Sequence, residues 1–125
     1  MNKTIIHTDK APRAIGPYVQ AVSTGTMLYT SGQLGIDIAT GKLAQGIEAQ
    51  AHASMQNLGA ILRESGADYG NIVKTTIFLQ DLNDFVAVNA IYESYFNGNF
   101  PARSCVQVAK LPLGGLVEIE AVAVL

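Results

Sequence analysis

Charge is scarce in this chain: Asp, Glu, Lys and Arg make up only 14% of it, against 49% hydrophobic residues. A domain with so few solvated side chains has apolar surface left over, which implies that another copy of the chain covers part of it. There is no Lys/Arg cluster, and the formal net charge is -2 with a pI near 5.5. Nothing electrostatic therefore draws the chain to nucleic acid or to an anionic membrane. No apolar run approaches the ~20 residues that span a bilayer. Met1–His7 lacks the long apolar stretch of a signal peptide. One cysteine, Cys105, excludes an internal disulfide and fits a reducing compartment, so the expected location is the cytoplasm.

Other chemistries are missing as well. His7 and His52 have no ligand spacing to each other or to Cys105, so no metal site is expected. Gly114-Gly115 follows no strand–helix phosphate fingerprint. No Ser-His-Asp set can be assembled, and no His lies near Cys105 in sequence to activate it as a nucleophile; a small interface residue is the plainer reading of that cysteine. With 125 residues, 13.2 kDa and no repeat or linker, residues 1–125 read as one domain.

What is present has clear periodicity. Residues 26–31 read as a strand ended by Ser31-Gly32, and Ala39-Thr40-Gly41-Lys42 is turn chemistry. From about Ile47 to Ser65, the apolar Ile47, Ala51, Met55, Leu58 and Leu62 recur at helical spacing, and Gly66 is placed to cap that helix. Residues 72–80 alternate: Val73, Thr75, Ile77 and Leu79 on one side, Ile72, Lys74, Thr76 and Phe78 on the other. Asp81 is an N-cap candidate for a second helix, with Asp84 in its first turn favouring the dipole; the helix runs to about Phe96 and is broken by Asn97-Gly98-Asn99. Residues 102–110 and 116–124 are two further strands. This order predicts a two-layer α/β (α+β) fold with right-handed crossovers, parallel neighbours within each strand–helix–strand unit, and both helices on one face of the sheet. The other face has no helix to cover it.

Alternation then distributes the last two strands. Val106 and Val108 suit the helix-covered side, which sends Arg103, Cys105 and Gln107 to the uncovered face; Val117 and Ile119 do the same for Glu118 and Glu120. Charges inside strands of a charge-poor protein need partners or ligands. One reading is an Arg–Glu ion pair in an oligomer interface, and the other is a ligand site in which Arg103 anchors a carboxylate. If the last strand is an antiparallel insert, Arg103 and Glu118 lie toward opposite ends of one sheet, and a site using both is easiest to build between subunits. Asn89 is an amide in the apolar stripe of Phe85, Tyr92 and Phe96, either a helix-edge amide bonded to a nearby loop or a ligand contact. Ser31-Gly32 lies at a strand C-terminus, where open α/β sheets place ligand loops, though it is also ordinary turn chemistry.

These residues fall in stretches that resemble the RidA/YjgF family of imine deaminases: Ala14-Ile15-Gly16-Pro17-Tyr18, Thr30-Ser31-Gly32-Gln33, Lys74-Thr75-Thr76, Asp81-Leu82-Asn83-Asp84-Phe85, Val88-Asn89, Tyr92, Phe100-Pro101-Ala102-Arg103-Ser104-Cys105 and Val117-Glu118-Ile119-Glu120-Ala121. The resemblance runs through nearly the whole chain and is weakest over residues 35–50. It implies a chorismate-mutase-like βαβαββ fold, a homotrimer whose uncovered sheet faces form a central barrel, and three sites in the clefts between subunits. It further implies hydrolysis of 2-imino acids such as 2-iminobutanoate and 2-iminopropanoate to 2-oxo acids and ammonia, without a cofactor. Such imines arise from enamines released by pyridoxal-phosphate enzymes, which the enamines otherwise damage. By the same resemblance Arg103 grips the substrate carboxylate with two parallel hydrogen bonds and Glu118 positions and deprotonates the water. Cys105 contributes its backbone N–H, and Tyr18, Ser31, Gly32 and Asn89 line the pocket. Rival readings are a non-catalytic trimer that binds 2-oxo acids, an RNA-directed ribonuclease or translation inhibitor, and a chaperone-like role.

Overall fold

The computed structural model describes residues 3–125. Its strands are β1 (Thr4–Ile6), β2 (Ala21–Ser23), β3 (Met27–Thr30), β4 (Gln33–Leu34), β5 (Ile36–Asp37), β6 (Lys42–Leu43), β7 (Ile72–Leu79), β8 (Ala102–Gln107) and β9 (Val117–Val124). The two helices are α1 (Gly46–Glu64) and α2 (Phe85–Glu93). The main sheet has the order β1-β2-β3-β9-β7-β8, with β4 also paired to β9, and β5–β6 form a separate hairpin. Both helices pack on one face, where Met55, Leu58, Ile61 and Leu62 of α1 and Val88 of α2 meet Ile77, Leu79, Val117 and Ile119 of the sheet. Each such buried side chain contributes about 1.5–3 kcal/mol relative to exposure, which is what holds the two layers together.

α1 forms where the apolar period places it and ends as the glycine suggests. Gly66 takes a left-handed φ of 78°, and the N–H groups of Gly66 and Ala67 reach back to the carbonyls of Arg63 and Leu62. The buried face also carries polar residues that fasten the β4–β5 segment. Ser54 Oγ donates to the Gln33 carbonyl at 2.7 Å, and Asn57 Nδ2 to the Ile36 carbonyl at 2.9 Å. Gly35 lies so close to α1 that a Cβ there would sit 2.5 Å from the Gln50 backbone. α2 is entered through a 3₁₀ turn, Leu82–Asp84, whose N–H of Asn83 is accepted by the Asp81 carboxylate at 2.9 Å. The helix is therefore shorter than the span to Phe96.

Three expectations change. The second strand–helix–strand unit does make parallel neighbours, β7 and β8, but the first does not. β9 is inserted between β3 and β7, antiparallel to both, because it offers two hydrogen-bonding edges to strands that would otherwise adjoin. In β7 the register shifts between Ile72 and Lys74, so Ile72 turns into the core and Val73 outward, opposite to strict alternation.

The third correction bears on the site. Arg103, Cys105 and Gln107 lie beside Thr75, Ile77 and Leu79 in the parallel β7–β8 ladder. Neighbours in register share a face, and Thr75, Ile77 and Leu79 are core residues, so these three side chains are on the helix-covered side. Val106 is the one that points to the uncovered face. The inversion has a simple cause: the uncovered face is itself apolar, with Tyr29, Phe78, Val122 and Val124 on it, so apolarity does not tell the two sides of β8 apart. Glu118 and Glu120 stand beside Phe78 and Thr76, on the uncovered face as expected.

Candidate functional site

Arg103 lies on the edge strand β8 and reaches over α2. Its Nη1 donates to Asn89 Oδ1 at 2.7 Å. Its guanidinium carbon is 5.1 Å from the centroid of the Tyr92 ring and 5.5 Å from that of Phe85. Tyr92 is tied in turn to Thr75, hydroxyl to hydroxyl at 2.7 Å, inside the core. Among the described residues no carboxylate comes within 4.0 Å of Arg103; the ion pairs there are His7–Asp9 and Arg63–Asp68. A half-buried guanidinium with one amide acceptor and four unused donors has the donors that an anion would take. Beside it opens a cleft of about 500 Å³ lined by Asn89, Tyr92, Glu93, Phe100, Pro101 and Arg103. Cys105 follows on the same side of β8. Burial pushes its thiol up, only partly opposed by Arg103, which leaves it protonated and a poor nucleophile.

Glu118 belongs to the other side. β3 and β4 both pair with β9, but the register moves by one residue between Tyr29 and Gln33, a bulge centred on Ser31-Gly32. The bulge leaves the Ala121 N–H to be received by Thr30 Oγ1 at 3.0 Å, while Ser31 Oγ donates to the Val19 carbonyl at 2.6 Å. Gly32 is thereby laid against Glu118; a Cβ on it would be 2.7 Å from the carboxyl carbon. Burial, and after it the like charge of Glu120, raise the Glu118 carboxyl above its ordinary value. The cleft in front of it measures about 620 Å³ and includes Arg13, Ile15, Tyr18, Gly32, Leu113 and Glu118 in its wall. Buried Gln20 shapes that wall: its Nε2 donates to the carbonyls of Thr8, Ala11 and Pro12, and its Oε1 accepts the Thr8 N–H. Leu113, at φ 60°, projects from the rim in a backbone conformation that non-glycine residues seldom adopt.

The sequence-predicted residues thus fall into two groups. Asn89 and Arg103, with Cys105 next to them, are together on the helix side; Tyr18, Gly32 and Glu118 share the other cleft. Ser31 makes the bulge, its hydroxyl already engaged. One chain does not bring the groups together, because they lie on opposite faces of the sheet rather than merely at its two ends. Sequence reasoning missed Thr75, Phe85 and Tyr92 around Arg103, although the shared helix face of Phe85, Asn89 and Tyr92 carried the signal. Gln20 gave none.

These features define a class: two-layer α+β proteins in which an unpaired arginine and a raised carboxyl stand in separate half-clefts. The model described as endoribonuclease L-PSP matches residues 8–125, and the chain belongs to this family, the RidA/YjgF proteins. A RutC family protein of Pasteurella multocida is 56% identical over 124 residues, 96% of each chain. A protein of Salmonella typhimurium named 2-iminobutanoate/2-iminopropanoate deaminase is 54% identical over 127 residues, covering 99% of this chain and 98% of its own. The crystal structure of E. coli TdcF with bound serine superposes with a TM-score of 0.94 at 46% identity, covering 98% of both chains.

Proposed function

We propose that this chain, acting as one unit over residues 1–125, hydrolyses short 2-imino acids to 2-oxo acids and ammonia in clefts between the subunits of a cytoplasmic homotrimer. The observation that carries this is the half-buried Arg103 guanidinium, which has no carboxylate partner among the described residues and keeps free donors toward a cleft. The names of relatives at 54% identity support it. The apolar uncovered face, with Tyr29, Val106 and Val124 each more than two-fifths exposed, supports the assembly. Because Arg103 and Glu118 are on opposite faces, a site that uses both takes them from different subunits.

The chemistry requires little beyond placement. Arg103 receives the substrate carboxylate through two parallel N–H···O bonds, with Asn89 holding the third side of the fork. Glu118 accepts a proton from water as the water oxygen bonds to C2 of the protonated imine and the C=N π pair moves to its NH2 nitrogen, giving a neutral carbinolamine. The protonated Glu118 then delivers that proton to the amine, the C–N bond breaks, and the hydroxyl becomes the C=O of the 2-oxo acid as ammonia leaves with the hydroxyl proton. Tyr18 and Gly32 wall the pocket, and the Cys105 backbone N–H faces the ligand. No cofactor or metal enters these steps.

The test couples the protein to a threonine dehydratase and follows imine decay. Wild type accelerates it; Arg103→Ala and Glu118→Ala do not. Mixing the two inactive variants under exchange conditions restores activity at about a quarter of the sites, the statistical share that pairs a native Arg103 with a neighbour's native Glu118 in a cyclic trimer. Imine decay no faster than in buffer rejects the reaction, and a mixture that stays inactive rejects the shared site. RNA cleavage, the reading suggested by the family's description, predicts instead that labelled RNA is cut and that Arg103→Ala leaves the cutting intact. The acidic balance of 10 Asp and Glu against 8 Lys and Arg disfavours it.

A further inference from the structure

We infer that Tyr92 is the positioning residue of the Arg103 anchor: its ring, locked by Thr75, is the platform that fixes the guanidinium before any ligand arrives. The inference rests on the carboxylate-binding reading of Arg103 and adds what makes that arginine competent.

Phe85, Asn89 and Tyr92 fall on one stripe of α2, so the two rings are separated by two helical turns, roughly 10.5 Å of axis. With its carbon 5.5 Å from one ring centroid and 5.1 Å from the other, the guanidinium is held between them, above Asn89. Aromatic faces attract the cation without accepting its N–H groups in the plane, so both ring contacts leave its forked edge available. Asn89 takes one donor. The rest are left for a planar carboxylate in the adjoining cleft.

The platform is itself rigid. Tyr92 is 5% exposed and Thr75 1%, and the hydroxyl pair at 2.7 Å ties the ring to the centre of β7, next to β8 in register with Arg103. Thr75 and Arg103 stand side by side, so strand, ring and guanidinium form a closed loop of contacts. A long, flexible arginine ordered in advance loses less freedom on binding.

Calorimetric titration with 2-oxobutanoate and steady-state imine hydrolysis test this on the full chain. In Tyr92→Leu, 2-oxobutanoate affinity falls and KM rises by roughly tenfold while kcat per folded molecule stays within about twofold, because ground-state anchoring is what is lost. Phe85→Leu, at the partly exposed end of the stripe, shows the same pattern at roughly threefold. Tyr92→Phe, which keeps the ring, restores both constants to within about threefold of wild type. A merely structural role lowers kcat with the folded fraction and leaves KM alone; that pattern, or a Tyr92→Phe as weak as Tyr92→Leu, overturns the inference. A wild type that binds 2-oxobutanoate but hydrolyses no imine rejects the catalytic reading alone, and the affinities then decide the role of Tyr92. A wild type that binds none rejects both.

Discussion

With Glu118 as the proposed base, a single methyl group added at Gly32 reaches the reaction. The Cβ of Gly32→Ala would lie 2.7 Å from the Glu118 carboxyl carbon, 2.9 Å from its Cγ and 3.0 Å from Oε2. Carbon atoms settle at about 3.5–4.0 Å, so the carboxyl group has to retreat by roughly 0.8 Å or more. The backbone at Gly32 does not have the positive φ that bars alanine, and the obstructing atoms are the end of a flexible side chain. The fold therefore yields at small cost, about 1 kcal/mol, part of which the stiffer unfolded chain returns. Catalysis is less forgiving. A displacement near 1 Å of a group that must meet water and substrate carbon costs up to about 10²-fold. In the dehydratase-coupled assay Gly32→Ala should lose 10- to about 100-fold in kcat with KM little changed, since the added Cβ meets Glu118 alone and the Arg103 anchor of that site comes from another subunit. A Gly32→Ala protein with wild-type kcat would show that the placement of the Glu118 carboxyl is irrelevant, and its role as base would fall.

Other outcomes follow from the same contacts. Thr75→Val strands the Tyr92 hydroxyl in the core and should cost about 1–3 kcal/mol in denaturant melts, with Thr75→Ser recovering most of it. Glu118 has its folded-state pKa raised, first by burial and then by Glu120, so the folded protein holds this proton to higher pH than the unfolded chain does. Ionisation therefore opposes folding: stability falls as pH climbs from the unfolded carboxyl's range through the raised value, and returns below it. Glu118→Gln should then melt above wild type at about pH 8 with the gap closing toward about pH 4, even as turnover collapses; an equal gap at both ends contradicts the burial argument. Gln20→Ala removes the four bonds that shape residues 8–12, and limited proteolysis should cut there faster while kcat/KM falls.

The elements with strong periodicity were readable. α1 and its Gly66 cap appear where spacing puts them, β7 alternates as read from Lys74 onward, and Asp81 caps the 3₁₀ turn that leads into α2 rather than α2 itself. The short strands β1, β2 and β4–β6 did not announce themselves, since two to four residues carry no period and Gln20, Ser54 and Asn57 act through contacts distant in sequence. The faces of β8 were misread because alternation assumes that one side of a strand meets water. Here both sides of the sheet are apolar, and the polar Arg103 is sheltered by rings while Val106 is exposed. Family motifs could name Arg103 and Glu118 but not the sheet that separates them.

The position of β9 has a consequence for how the chain folds. It is the final strand in chain order, yet it occupies the centre of the sheet, with Met27 of β3 opposite Val124 on one side and Leu79 of β7 opposite Val117 on the other. Until it arrives, β3 and β7 present bare edges to each other across a gap one strand wide, and the glutamate meant for the cleft is absent. Folding therefore waits on contacts of long range in sequence, which slows it relative to a fold built from local contacts. During that wait the unpaired edges are open to other chains, so the same apolar, edge-rich surface that suits assembly is also where misassembly would begin.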